Sequence, residues 1–123
     1  MRVLVLITFI VMSFKSLYSQ AKLEIDDAKK NFGFVKKGEV VKLDYMIKNS
    51  GNEPLIITSV EIACSCTTVD YPKQPIAPGK SEKITIIFDT KTVYDRQDRV
   101  VFLKTNDNKG TTKLRYKGVV LVK

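Results

Sequence analysis

Cys64 and Cys66, with Ser65 between them, are the only thiols in a sequence that has no histidine. A pair two residues apart fits three kinds of chemistry. It can be a labile dithiol/disulfide that exchanges with a partner. It can be a two-thiolate site for a soft ion such as Cu(I), which sulfur ligands select. Or it is a local staple, or two small buried side chains, where a strand leaves a sheet. In a regular strand such residues share a face, with Cα atoms about twice the ~3.3 Å rise apart. That is near the upper limit of ~6.8 Å for a disulfide, so a bond across an extended Cys64-Ser65-Cys66 is expected to be strained and more oxidising. Against metal stand the missing histidines and the shortfall from the four ligands of a structural zinc site. No cofactor is expected.

A second group is cationic. Lys113, Arg115 and Lys117 alternate with Leu114 and Tyr116, which in a strand puts all three charges on one face. With Lys29, Lys30, Lys36 and Lys37 they could offer a basic surface to an anionic glycan or a lipid headgroup. The plainer alternative is a solvated face whose lysines guard a strand edge against self-pairing. Aromatic platforms for stacking bases are not interleaved with the charges, and nucleic acid is not an expected partner.

The remaining patterns carry no reaction. Without histidine neither a Ser-His-Asp nor a Cys-His nucleophile can be assembled. Gly79-Lys80-Ser81 imitates the end of a phosphate loop, but Gln74 stands where its first glycine belongs. Asp107-Asn108 lacks the acidic spacing of a calcium loop. Asp26-Asp27 and the Asp95/Asp98 pair fall in expected turns, solvated rather than poised for glycoside hydrolysis. A non-enzymatic protein is expected.

These residues are positioned by an all-β pattern, with turn signals every eight to twelve residues and period-two apolar runs between them. Extended segments carry Leu23 and Ile25, then Phe32, Phe34 and Val35. In Val40 to Lys48, Val41, Leu43, Tyr45 and Ile47 face one way and Lys42, Asp44 and Lys48 the other. Leu55 to Ala63 follows, with Ile56, Thr58, Val60 and Ile62 expected on one side. Pro72, Pro75 and Pro78 make Asp70 to Gly79 a crossover. Lys83 to Phe88 turns Ile84, Ile86 and Phe88 inward. A charged loop is expected over Asp89 to Asp98, then Val100 to Thr105 and Thr112 to Val122 joined by Asn106 to Gly110, with a bulge or bend at Gly118. Seven or eight strands in about one hundred residues imply an immunoglobulin-like antiparallel β-sandwich.

The motifs in these turns resemble a known pattern. Phe32-Gly33, Asn49-Ser50-Gly51-Asn52-Glu53-Pro54-Leu55, Cys64-Ser65-Cys66-Thr67, Pro78-Gly79 and Thr105-Asn106 resemble the bacterial family called domain of unknown function 1573, with Ser65 in place of the usual middle glycine. The resemblance spans Leu23 to Val122. It implies an exported immunoglobulin-like domain related to major-sperm-protein-like domains, and no activity.

The amino terminus points to export as well. Met1-Arg2, the apolar run Val3 to Phe14 and polar Lys15 to Ser19 read as a signal peptide over residues 1–19, too short for the ~20 residues of a spanning helix. Residues 20–123 are expected to be one mature domain. With no cysteine at the new terminus, lipid anchoring is not expected. The net charge of +8 stays positive once Arg2 and Lys15 leave with the leader. A periplasmic or secreted location is oxidising, and a disulfide is the default state of a cysteine pair there. The expected function is binding or structural support, with a partner docking on a strand edge; the alternative is disulfide exchange or Cu(I) handling at Cys64-Ser65-Cys66.

Overall fold

The computed structural model describes residues 19–122; apart from Ser19, the expected signal peptide lies outside the described residues. Among the described residues eight strands follow one another: β1 (Leu23–Ile25), β2 (Lys29–Lys36), β3 (Val40–Asn49), β4 (Ile57–Ile62), β5 (Thr67–Asp70), β6 (Ser81–Asp89), β7 (Asp95–Thr105) and β8 (Thr111–Leu121). They form two four-stranded sheets, ordered β1-β3-β6-β5 and β2-β8-β7-β4. All neighbours are antiparallel except β2 and β8, which run parallel. The expected sandwich is the one found.

Alternation builds the core. Tyr45 and Ile47 of β3, Ile84, Ile86 and Phe88 of β6, Val101 and Leu103 of β7, and Leu114 and Tyr116 of β8 are all buried between the sheets. Lys42, Asp44 and Lys48 are exposed on the outer face of β3, as their spacing requires. Two tyrosines cross the core in opposite directions. From β3, the Tyr45 hydroxyl donates to the Arg115 carbonyl on β8 at 2.8 Å. From β8, the Tyr116 hydroxyl meets the Thr67 hydroxyl at the start of β5. Each buried phenol thus finds a polar partner on the opposite sheet, which a buried hydroxyl needs if its desolvation is to be offset.

The structure departs from the sequence expectations in four places. Thr67–Asp70 is a strand, paired with Thr85 to Phe88 of β6; four residues are too few to show periodicity. The charged loop is shorter than expected, because β7 begins at Asp95. Arg96 and Asp98 are exposed while Gln97 turns inward, so this half of the strand alternates without an apolar signal. In the Leu55–Ile62 segment the inward set is Leu55 and Ile57, whereas Ile56 is exposed. A register shift against β7 between Ile57 and Ser59 then moves the inward parity to Val60 and Ile62, opposite Leu103 and Val101. The fourth departure concerns Gly118, which pairs regularly with Gln97. The irregularity lies across from it on β2, between Asn31 and Phe34, where Gly33 has a φ of 72°. Phe32 packs so close to Gly118 that a β-carbon there would collide with its ring.

Candidate functional site

The chain leaves β4 at Ile62, turns through Cys64, Ser65 and Cys66, and re-enters the other sheet at Thr67. Cys64 and Cys66 are joined in a disulfide with Cα atoms 5.1 Å apart. This corrects the extended geometry expected from the spacing. The segment is a turn rather than a strand, so the separation falls within the ordinary range for disulfides. The amide of Thr67 donates to the Cys64 carbonyl at 3.1 Å and the amide of Asp89 to the Cys66 carbonyl at 2.8 Å, fixing the turn to β6. Ser65 takes no positive φ, so the turn does not need a glycine at its centre.

The two sulfurs have different surroundings. Cys64 is half-buried and Cys66 is buried. The Cys66 amide donates to Cys64 Sγ at 3.1 Å. Cys66 Sγ lies 3.8 Å from Thr67 Oγ1, and that hydroxyl is the one bound to Tyr116. Burial pushes the Tyr116 phenol above its ordinary pKa, with desolvation outweighing the Thr67 hydrogen bond and the Arg99 charge, and so keeps its proton in place. The closed loop is minimal, and chain-entropy reasoning gives such a link only about 1.5 kcal/mol of stabilisation. It ties together no distant elements. While the two sulfurs are bonded to each other, neither is a thiolate; Cu(I) coordination would belong to the reduced pair alone.

Below this turn the sandwich is open along one side. β4 ends one sheet and β5 ends the other, and between them runs a groove of about 420 Å³ lined by Thr58, Val60, Ile62, Thr67, Val69 and Tyr71 among others. Val60 and Ile62 share the inward face with Leu103 and Val101, and Val69 shares it with Ile86. Their β7 and β6 partners are buried, but Val60 and Val69 are half-buried and Ile62 is 45% exposed. The groove is therefore an unclosed margin of the core, flanked by two strand edges with free backbone groups. The disulfide turn joins its two lips at one end.

The basic face is placed by β8. Lys113 and Lys117 are exposed and Arg115 is half-buried. Arg115 donates through Nε and Nη2 to both carboxylate oxygens of Asp98, at 2.7 and 2.6 Å. That contact holds the Asp98 carboxyl below its usual range and raises the guanidinium. Asp98 lies in a strand, not in the expected turn. The β2–β8 pairing sets Lys29 beside Arg115. Lys30 pairs instead with Asp27 and lies over the Tyr45 ring. Lys36 and Lys37 lie at the far end of β2, with the Lys37 ammonium over Tyr94. A cleft of about 230 Å³ beside this face is lined by Phe34, Arg96 and Lys117, among others, and Phe34 is 74% exposed.

Sequence reasoning missed Thr67, Tyr116, the groove residues and Asp98. The hairpin turn at Asn106 to Gly110 carried the signal for Asp98, since its register sets Asp98 opposite Lys117 and diagonal to Arg115. Burial of Tyr116 was legible, and a buried phenol demands a partner, but the partner is 49 residues away.

The other end of the sandwich gathers most of the turn motifs, and there they hold the fold. Asn49 is fully buried. Its Oδ1 accepts from the Lys22 and Gly51 amides at 3.3 and 3.0 Å, and its Nδ2 donates to the Glu53 and Ile76 carbonyls at 2.7 and 2.9 Å. Asn106 brackets Pro54 and Ile56 in the same way. Gly51 lies against the Gln20 and Ala21 backbone, leaving no room for a β-carbon. The Leu23 amide is held by buried Asp107 at 2.6 Å.

The comparisons agree with this architecture. A protein of unknown function from Porphyromonas gingivalis W83 aligns with a TM-score of 0.74 at 21% identity, over 86% of this chain and 50% of that one, so the chain spans half that protein's length. The seventh PapD-like domain of human CEP192, an ASH domain, aligns at 0.65 with 12% identity over 85% and 88% of the two chains. WR4, a major-sperm-protein family member from C. elegans, aligns at 0.50 with 9% identity over 84% and 99%. At these identities the likeness is one of fold. No curated protein matches the sequence. Among the described residues no helix is long and apolar enough to cross a membrane. The model of the family described as "Protein of unknown function (DUF1573)" matches residues 23–120, and the chain belongs to that family.

Proposed function

We propose that the chain is an exported, non-enzymatic interaction module that receives an extended segment of a partner protein along the open β4/β5 margin. The observation that carries this reading is the set of core-type side chains, Val60, Ile62 and Val69, facing inward yet left uncovered between two free strand edges. An added strand would supply both what the edges lack in hydrogen bonds and what the core lacks in cover. The groove lining is uncharged and, apart from Ser59 and Tyr71, β-branched, which suits a segment alternating Val or Ile with Thr. Export is supported by the apolar leader and by the disulfide, which persists in oxidising compartments.

A test is fluorescence anisotropy of a labelled Val/Thr-alternating peptide of about eight residues, the length of an ordinary strand. Saturable binding is expected. Ile62→Lys, at an exposed position, should weaken it about tenfold, since apolar cover for one aliphatic side chain is worth ~1.5 kcal/mol or more. Binding unaffected by Ile62→Lys would place the peptide elsewhere.

A second reading rests on the cleft in which exposed Phe34 adjoins Arg96 and Lys117, a setting for an anionic glycan. Replacing Lys113, Arg115 and Lys117 with Ser is expected to abolish salt-sensitive heparin retention. Retention at unchanged salt would remove that face from consideration.

A further inference from the structure

We infer that the groove takes a cysteine-bearing extended segment and that the Cys64–Cys66 disulfide oxidises it, with Cys64 Sγ as the atom attacked. The inference rests on the strand-docking reading above. Three observations carry it. The disulfide turn directly connects the two sides of the groove, since β4 runs into it from the lining residue Ile62 and β5 runs out of it from the lining residue Thr67. Cys64 is the more exposed of the pair, which makes it the more accessible to an incoming thiolate. Both sulfurs also have a hydrogen-bond donor within reach for the moment each becomes a leaving group.

The chemistry balances with a reduced dithiol segment as co-reactant. A thiolate of the segment attacks Cys64 Sγ, the Cys64–Cys66 bond breaks, and its electron pair leaves on Cys66. Tyr116 can donate to Thr67 Oγ1 while the Thr67 hydroxyl donates to the new Cys66 thiolate, so the charge forms beside a prearranged donor chain. The second thiolate of the segment then attacks its own mixed-disulfide sulfur and expels Cys64 as a thiolate, which the Cys66 amide is placed to receive. The segment loses two electrons and becomes a disulfide. Cys64 and Cys66 gain them and, with two protons, become thiols. A leaving thiol of lower pKa departs faster, so both donors act on rate. Thr67 is a positioning residue in this scheme.

The experiment uses the full mature chain in its oxidised form with three probes: reduced glutathione, and Val/Thr-alternating peptides carrying one cysteine at either end. With a single-thiol probe the first step stops at the mixed disulfide, so rapid acid quenching, alkylation and peptide mapping show which sulfur carries the adduct. The adduct is expected on Cys64 with Cys66 alkylated. One of the two peptides is expected to react at least about tenfold faster than glutathione at equal thiolate concentration, and Ile62→Lys to cut the peptide-to-glutathione rate ratio about tenfold. Thr67→Val is expected to slow both reactions and to shift the alkylation pH profile of reduced Cys66 upward, which a loss of packing alone would not do.

An adduct found on Cys66, or no adduct with any probe, overturns the inference. If the Cys64→Ser/Cys66→Ser variant still binds the cysteine-free peptide, the docking reading survives that loss. Equal rates for peptide and glutathione, with no anisotropy change on peptide addition, overturn both.

Discussion

The hydroxyl of Tyr116, anchored on β8, is hydrogen-bonded to the hydroxyl of Thr67, the residue that follows the disulfide on the opposite sheet. This contact links the turn that carries the sulfurs to the centre of the core, where the Tyr116 ring packs 5.3 Å from that of Phe88. Tyr116→Phe should destabilise the fold by about 1 kcal/mol and Thr67→Val by a similar amount. The double variant should lose less than the sum, because both ends of one bond are removed together. Urea unfolding of the four proteins measures the coupling. Strict additivity would mean that the two hydroxyls do not interact.

The disulfide should matter little to stability. Cys64→Ser/Cys66→Ser is expected to lower the unfolding free energy by about 1.5 kcal/mol with an unchanged m-value. A variant that fails to fold would show that the turn is a structural staple.

Asn49 is expected to be far less replaceable. It serves four backbone groups from three separate segments without exposure to water, and each buried group left unpaired costs about 1–3 kcal/mol. Asn49→Ala should therefore cost more than 3 kcal/mol. Asn49→Asp should cost at least as much, since it removes both donors. A drop of less than about 1 kcal/mol in chemical denaturation would contradict this account of the turn.

Stability should fall at alkaline pH. Tyr45 and Tyr116 both have pKa values raised in the folded protein, first by burial. The sign follows from linkage: the unfolded phenols ionise near the ordinary value of about 10, the folded ones only above it. Their contribution is complete below that pH and is lost as the pH rises toward the folded values. Urea midpoints should decline above about pH 10, and Tyr45→Phe should flatten the decline. At the acid end, Asp98 has a folded pKa depressed by Arg115, so its contribution is present above the ordinary carboxylate range and lost as the pH falls through the folded value. A carbon-detected NMR titration should find Asp98 below the usual range and, in Arg115→Met, back within it.

What the sequence revealed divides along the range of the interactions. The faces of β3 and β6 were legible because strict apolar alternation needs no knowledge of a partner strand. The sides of β4 were only half legible, since the register shift between Ile57 and Ser59 exists only against β7. The start of β7 was hidden because its inward residue is Gln97, whose side chain is satisfied by the Tyr94 carbonyl and by Arg99. Gly118 read as a bend from composition alone; its actual role, making room for the Phe32 ring, depends on a strand some eighty residues earlier. At the site, the cysteine pair was evident from spacing. Its asymmetry was not, because Thr67 and Tyr116 acquire their roles only when the sheets close.

The parallel pairing of β2 with β8 joins Lys29 to Arg115 and Lys36 to Leu121. A strand near the beginning of the domain thus completes its ladder only with the last strand. β2 therefore has no neighbour in its sheet until residues 111–121 have emerged, whereas β4 and β7 can pair before then. Contacts of such long sequence separation also make folding slow. Joining of β2 to β7 through β8, and with it burial of Leu114 and Tyr116, is thus the closing step for a chain made from its amino terminus.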